Sequence, residues 1–270
     1  MRLTFSLAVS MACFAWPAKT HEFWIDPLEF TVEPSGAVVA DLRVGTEFEG
    51  SSQSYIPRNF DRFFVVQNGA AAEVPGTVGD RPAMNFPAQE EGLMVVVHQT
   101  TDQVVTWDTW QKFENFVLHK DSAWVLDEHL AKDMPEEGVR EVYSRYAKSL
   151  IAVGEGAGKD VVSGMLTEII ALENPYTDNM DDGITVGVLY QGKPRKVTQI
   201  EVFERAPDGA VSIFTQKTDG RGVATIPVKP GHKYMLDSVV LRLTDKKTTN
   251  GPQFHWESLW ANMTFEVPGQ

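Results

Sequence analysis

The stretch "ITVGVLYQGKPRKVTQIEVFERAPDGAVSIFTQKTDGRG" at residues 184–222 decides the fold class. Runs rich in β-branched and aromatic residues alternate here with turn-forming sequences such as Pro-Asp-Gly. Closely spaced strands with Asp-Gly and Pro-Gly turns are typical of a small antiparallel sandwich. The sequence therefore predicts a β-sandwich of immunoglobulin or prealbumin type over residues 181–270. Its predicted strands are 184–190, 199–204, 211–215, 223–228 and 235–243.

A second strand-like region precedes it. Apolar and charged residues alternate in Ala40–Val44, and short apolar runs occupy Phe63–Val66 and Leu93–Val97 between turn residues. Alternation with period two predicts half-buried strands. We therefore expect a mainly β chain with two antiparallel β-sandwich domains, the first over residues 21–104.

Between the two sandwiches the rhythm of apolar residues becomes helical. The residues at helical spacing are Trp107, Trp110, Phe113, Phe116 and Val117, then Trp124, Leu126 and Leu130, and beyond Pro135 also Val139, Val142, Tyr146 and Leu150. Ser122 is a candidate cap for the second helix. The pattern predicts a helical segment over residues 105–160 that belongs to the first domain, followed by a linker at 161–180. Arg145 and Lys148 are expected on one helical face, where they could hold an acidic ligand or pair with Asp and Glu.

The first twenty residues have the composition of a secretory signal peptide. Arg2 precedes an apolar run over residues 3–15, and small residues stand at Ala18 and Thr20. The run is shorter than the roughly 20 residues that cross a membrane, and no later stretch approaches that length. We therefore predict an exported, soluble periplasmic protein with no transmembrane segment after cleavage. The only cysteine, Cys13, lies in this leader, so a disulfide in the mature chain is not expected.

Charge restricts the class of partner. The whole chain carries a net charge of −13, and loss of residues 1–20 removes Arg2 and Lys19 but no acid, which changes it to −15. Such a surface repels nucleic acid. It is compatible with a small cation or a basic partner.

The sequence contains none of the local catalytic motifs considered next, and a Ser-His-Asp triad is recognised only by geometry. The stretch "GEGAGKD" at 154–160 departs from a phosphate-binding loop at Val153 and Asp160. There is neither a G-x-S-x-G nucleophile elbow nor an HExxH zinc helix. We therefore predict no catalytic residues and a protein that is not an enzyme.

Several longer stretches resemble one bacterial family of uncharacterised periplasmic proteins, described as components associated with cobalt or nickel transport. These stretches are "HEFWIDP" at 21–27, "YSRYAKSLI" at 143–151, "LTEIIALENPY" at 166–176, "VLYQGKPR" at 188–195 and "TDGRGVATIPVKPG" at 218–231. The resemblance implies two β-sandwich modules, the second similar to a prealbumin or carboxypeptidase regulatory domain. It also implies an N-terminal histidine that binds a metal, and an inner-membrane metal transporter as partner.

With no cysteine in the mature chain, histidine is the main candidate ligand for a transition metal. If cleavage follows Thr20, the α-amine and ring of His21 together form a bidentate chelate. If cleavage follows Ala18, Lys19-Thr20-His21 offers a square-planar nitrogen set that suits copper(II) or nickel(II). The alternative is that His21 belongs to a frayed terminus without a ligand.

Three further histidines are candidate metal ligands. His119 is predicted at a helix end, where an imidazolium near the last carbonyls is the alternative. His129 is predicted on the next helix. His255 lies between Phe254 and Trp256, a neighbourhood typical either of a shielded metal site or of a hydrogen-bonded domain interface.

These features predict a periplasmic protein that binds nickel, cobalt or copper and assists metal uptake or homeostasis, with His21 as the anchor ligand. Two other hypotheses remain open. One is a copper oxidase with a histidine brace, and the other is an envelope module that binds protein or glycan without any metal.

Overall fold

The computed structural model describes residues 21–248 and 251–269. The predicted leader, with Cys13 and both candidate cleavage points, lies outside these residues. Among the described residues half are in strands and 9% are in helices, which confirms the mainly β prediction. Within residues 21–248 and 251–269, none of the helices reaches the length and hydropathy of a membrane span.

The secondary-structure elements follow one another in this order. The first half contains β1 (Glu22–Pro27), β2 (Thr31–Val32), β3 (Gly36–Thr46), β4 (Glu49–Gln53), a 3-10 turn (Pro57–Asn59), β5 (Phe60–Gln67), β6 (Ala70–Glu73), β7 (Met84–Ala88), β8 (Gly92–Thr100), β9 (Gln103–Thr106), α1 (Trp110–His119) and α2 (Trp124–Ala131). The second half contains β10 (Arg140–Val153), β11 (Thr167–Ala171), β12 (Ile184–Tyr190), β13 (Lys193–Pro194), β14 (Gln199–Arg205), β15 (Val211–Lys217), β16 (Val223–Ile226), β17 (Lys233–Leu243) and β18 (Trp256–Glu266).

These strands form three sheets. The large sheet has the order β15-β14-β17-β18-β10-β8-β5-β6, with β2 and β9 also paired to β10. The N-terminal small sheet has the order β1-β3-β4, with β7 on β3. The C-terminal small sheet has the order β11-β12-β13, with β16 on β12.

A parallel pair at the centre of the large sheet joins the two halves of the chain. Glu141–Ser149 of β10 pair in register with Trp256–Thr264 of β18. Strands from both predicted domains therefore share one sheet. Part of the predicted linker is itself a strand, because β11 is buried along its whole length. The division into two domains at 161–180 stays a prediction.

Each face of the large sheet is covered by a different part of the chain. The C-terminal small sheet packs on one face, around Leu150, Ile169 and Leu259. On the other face the N-terminal small sheet packs over Ile151. Beside it, α1 packs over Trp256 and Trp260. Since a fully buried large apolar side chain contributes about 1.5–3 kcal/mol, these layers supply the main stabilisation.

The structure confirms two helices in the segment that was predicted as helical. Thr109 caps α1, because its side-chain oxygen accepts a hydrogen bond from the amide of Lys112. The prediction that Ser122 caps the second helix is wrong. Its hydroxyl donates to the carbonyl of Lys120, and the residue at the start of α2 is Ala123, which has no capping side chain.

The predicted helix beyond Pro135 is also wrong, because this stretch forms the central strand β10. Val142, Tyr146 and Leu150 are spaced by four residues, and a spacing of four fits a strand of period two as well as a helix. Both faces of β10 are covered, which hides the polar alternation of a half-buried strand.

Arg145 and Lys148 therefore lie on opposite faces of a strand and not together on a helix. Nζ of Lys148 lies 2.6 Å from Oδ1 of Asp160 and 3.8 Å from Oε2 of Glu168, and all three side chains are buried. Lys148 thus pairs with carboxylates, one of the two predicted roles. Arg145 points to the face that carries the N-terminal small sheet, where it contacts the start of β1.

Candidate functional site

His21 immediately precedes β1 of the N-terminal small sheet and faces Arg145 of the central strand β10. Its side chain is exposed, whereas the next residue, Glu22, is only 5% exposed. Nη2 of Arg145 donates to the carbonyl oxygen of His21 over 3.2 Å. The same guanidinium lies over the rings of Phe23 and Tyr143, with its central carbon 5.7 and 4.8 Å from their centroids. These contacts fix the backbone at His21 while leaving its imidazole accessible.

Directly behind His21 lies a buried group of charges that we call the carboxylate cluster: Glu22, Glu201 and Asp237 around Lys120. Nζ of Lys120 lies 2.7 Å from Glu201, 3.1 Å from Asp237 and 3.5 Å from Glu22. The four side chains come from β1, the end of α1, β14 and β17. They meet where the N-terminal small sheet adjoins α1 and α2, which together we call the helical layer. Three carboxylates thus share one ammonium group in a site closed to water.

Burial and mutual repulsion shape the electrostatics of the carboxylate cluster. Burial raises the pKa of Glu22 to about 7, against the opposing charge of Lys120. Burial also raises the pKa of Asp237 above its ordinary value. For Glu201 burial acts in the same direction, but hydrogen bonds from His119 and Lys120 lower its pKa to about 2. The cluster therefore retains a proton on Glu22 near neutral pH more readily than an exposed glutamate does.

His119 extends the carboxylate cluster to the surface. Its Nε2 lies 2.8 Å from Oε1 of Glu201, and its side chain is 56% exposed. In the neutral imidazole with Nε2 as donor, Nδ1 carries a lone pair. Histidines that bind metals typically donate their other ring N–H to a carboxylate in this way. Contacts through Glu201, Lys120 and Glu22 thus connect His119 with the residue next to His21.

The other two predicted histidines lie together elsewhere. The ring centroids of His129 and His255 are 6.1 Å apart in the helical layer. Nδ1 of His129 accepts from the indole N–H of Trp256 over 2.9 Å, and Nε2 lies 3.1 Å from the carbonyl oxygen of Pro135. Both nitrogens of His129 are therefore in use. Nδ1 of His255 accepts from the amide of Arg140 over 2.9 Å, and partial burial lowers the pKa of His255.

A fifth histidine, His98 on β8, is enclosed by aromatic rings. The rings of Phe23, Phe60 and Phe63 lie 5.1, 4.6 and 5.0 Å from its own. It is 1% exposed, and neither ring nitrogen has a hydrogen-bond partner among the described residues. Burial lowers its pKa to about 3. The interior thus keeps this imidazole neutral.

Across the described ranges 21–248 and 251–269, no three His, Cys, Asp or Glu side chains are grouped so that they could hold a metal ion. A site built on His21 therefore needs a donor besides these side chains. Cleavage after Thr20 would supply such a ligand as the terminal α-amine, and cleavage after Ala18 would supply backbone nitrogens.

Sequence reasoning named His21 and His119 as candidates but did not predict the carboxylate cluster. A local signal was present: Glu201 and Asp237 interrupt the apolar runs of β14 and β17, and a charge in such a run indicates a buried, paired group. Nothing local shows that these strands, α1 and β1 meet.

Comparison with known proteins gives one clear match. Residues 18–241 match the family described as "Domain of unknown function (DUF4198)". The chain belongs to this family. The region shared with the DUF4198 family begins at Ala18 and ends in β17, so it includes His21, His119 and the whole carboxylate cluster. No curated protein matches the chain.

Two solved structures are similar at a low level. The D0-D1 domain of intimin is 15% identical and covers 91% of this chain and 97% of its own, with a TM-score of 0.21. A tetra-tandem repeat from the extending region of a large adhesion protein is 9% identical and covers 92% of this chain and 50% of its own, also with a TM-score of 0.21. At such TM-scores neither likeness carries weight for function.

Proposed function

We propose that this member of the DUF4198 family is a periplasmic, non-enzymatic protein that binds nickel, cobalt or copper and assists metal uptake or homeostasis. His21 is the anchor ligand and His119 is the second imidazole ligand. An inner-membrane metal transporter is the partner that gives or takes the ion.

The pair His119–Glu201 carries this proposal. A buried carboxylate that accepts a hydrogen bond from one ring nitrogen orients the imidazole and makes the other nitrogen a stronger ligand for a metal. The 2.8 Å contact and the half-exposed ring meet both requirements. Borderline metals such as nickel(II), cobalt(II) and copper(II) bind well to imidazole nitrogen.

Two features support His21 as the anchor. Arg145 holds its carbonyl oxygen, so the residue is not frayed, and its imidazole is accessible. Cleavage after Thr20 would add the α-amine, and cleavage after Ala18 would add the Lys19-Thr20 amides, so either product offers more than one nitrogen.

The assignment leaves His129 and His255 in structural roles. Both nitrogens of His129 are occupied by Trp256 and Pro135, and metal binding would leave the buried indole N–H without a partner. Such a loss costs about 1–3 kcal/mol.

Isothermal titration of correctly processed protein with copper(II), nickel(II) and cobalt(II) tests the proposal, after mass spectrometry has defined the N-terminus. We expect His21→Ala to abolish specific binding and His119→Ala to weaken it at least tenfold. Glu201→Gln should weaken it about 10–100-fold through His119 alone. His232→Ala is the matched control, since His232 also lies 2.7 Å from a glutamate, Glu204, but outside this site. Binding that is unchanged by His21→Ala would refute the proposal.

A further inference from the structure

A cavity of about 260 Å³ opens beside the carboxylate cluster, between the junction of α1 with α2, the segment before β14, and β17. The residues relevant to its chemistry are Lys120, Ser122, Trp124, Arg195, Lys196 and Gln199. Val239 and Leu241 add an apolar wall. The volume suits a small metabolite and is below that of most pockets that bind drug-sized ligands.

The charge of this cavity is opposite to that of the protein as a whole. Asp121 is the one acidic residue among those that line it, and its carboxylate lies 2.6 Å from Nζ of Lys217. Nζ of Lys120 is already held by the carboxylate cluster. Arg195 and Lys196 therefore leave the cavity positive on a chain whose net charge is −13. A local reversal of charge in a concave site favours an anionic ligand.

Arg195 is the group that points most directly to such a ligand. Nη1 donates to Oγ of Ser238 over 3.1 Å and Nη2 donates to the carbonyl oxygen of Val239 over 2.9 Å. Both acceptors are uncharged, and burial lowers the pKa of Arg195 to about 10 against the opposing charge of Asp237. A guanidinium has five N–H donors, so this one keeps donors for a bidentate contact with a carboxylate.

The rest of the cavity complements an anion with a carbon skeleton. Lys196 is exposed at the rim, and the indole of Trp124 is 50% exposed. Trp124 is also the first residue of α2, whose N-terminal amides have no capping side chain. The C-terminal end of α1 also adjoins the cavity, so the two helix dipoles oppose each other there and the positive charge comes from Arg195 and Lys196.

The cavity adjoins the candidate metal site. Nε2 of Gln199 donates to the carbonyl oxygen of His119 over 2.8 Å, and Gln199 lines the cavity. Lys120 contributes to both places. A ligand in the cavity would therefore be a neighbour of His119.

We propose that the cavity binds a small polycarboxylate anion, and that the metal arrives at His21 and His119 as the chelate of such an anion. The second half of this statement rests on the proposed function. Arg195 and Lys196 hold carboxylates of the chelator, while the imidazoles complete the coordination of its metal.

Titration of metal-free protein with citrate tests the first half. We expect saturable binding that Arg195→Gln weakens at least tenfold and Lys196→Gln severalfold. Because Lys196 is exposed, Lys196→Gln should fold normally. It therefore tests the cavity even if Arg195→Gln does not fold. Lys193→Gln, which removes an equal charge from nearby β13, should have no effect. Lack of citrate binding by the wild type, or preferred binding of inorganic phosphate, would overturn the proposal.

Separate titrations with nickel(II) alone and with the 1:1 nickel(II)–citrate complex test the second half. The complex should bind at least tenfold more tightly than either component, and His21→Ala should abolish nickel binding while retaining citrate binding. Citrate binding without any nickel binding would refute the proposed function but leave the cavity assignment standing. Equal affinity for complex and components would overturn the second half alone.

Discussion

Nζ of Lys120, at the C-terminal end of α1, lies 2.7 Å from Oε2 of Glu201 on β14, and the two side chains are 3% and 5% exposed. This contact joins α1 to the part of the large sheet that the C-terminal half of the chain forms. The same ammonium neutralises two further carboxylates from β1 and β17. Lys120 is thus the counter-ion on which the centre of the fold depends.

Replacement of Lys120 by methionine should destabilise the protein by about 3–5 kcal/mol at pH 7, because it removes the ammonium group that three buried carboxylates share. Urea unfolding measures the difference. Lys112→Met is the matched control: Nζ of Lys112 lies 2.6 Å from Asp108, but both side chains are largely exposed, so a change below about 1 kcal/mol is expected. Equal effects of the two variants would contradict this role of Lys120.

Glu22 should make the protein less stable as the pH rises through neutrality. Its pKa is 4.5 when unperturbed and about 7 in the fold, so the folded state binds more protons between these values. The free energy of unfolding therefore falls from about pH 4.5 to pH 7. Glu22→Gln should unfold like the wild type at pH 5 and be more stable at pH 8 by about 1–3 kcal/mol.

Urea titrations at the two pH values give this comparison. Exposed Glu73 on β6 supplies the control, since Glu73→Gln should match the wild type at both. Burial also raises the pKa of Glu141 to about 7, so part of the pH dependence should persist in Glu22→Gln. A Glu22→Gln variant that is less stable than the wild type at pH 8 would contradict this prediction.

His98→Leu should leave stability unchanged at pH 7 or raise it by up to about 3 kcal/mol, because it removes two buried nitrogens without partners. The larger effect is expected in acid. With a pKa of about 3 in the fold and 6.5 when unperturbed, His98 binds its proton mainly after unfolding. The free energy of unfolding therefore decreases as the pH falls from about 6.5 towards 3.

Thermal unfolding of His98→Leu from pH 7 to pH 4 should therefore show a smaller decrease in melting temperature than the wild type. As a control, Val96→Ala on the same strand should lower stability at every pH without altering the slope. An unchanged acid slope in His98→Leu would mean that the ring has partners in solution.

His129→Leu should lower stability by about 1–3 kcal/mol and leave metal affinity unchanged. The cost arises because the indole N–H of Trp256 and the carbonyl of Pro135 each lose a partner. Chemical unfolding and metal titration on the same preparation separate the two effects. Loss of metal binding with an intact fold would return His129 to the ligand set.

Much of the strand order could be predicted because its signals are local. Ile184–Tyr190 forms β12 with the predicted bounds, and Gln199–Arg205 extends the predicted strand by one residue. Turn residues and period-two alternation act within a few residues, so they can be recognised without a partner strand. The helix predicted through Leu150 was wrong because a four-residue spacing satisfies both periods, and only the layers on either side of β10 distinguish them.

Some features of the candidate site could likewise be predicted from the sequence, whereas others could not. Residue chemistry alone made His21 and His119 candidates, since imidazole is a metal ligand in any fold that exposes it. The sequence by itself thus determined the mainly β class, the turns and the histidine inventory. Tertiary structure alone decided that β10 pairs in parallel with β18 and that Glu22, Lys120, Glu201 and Asp237 converge behind His21. The physical reason is distance along the chain: these groups are separated by up to about 200 residues in sequence, and only burial in one low-dielectric interior makes their charges interact strongly.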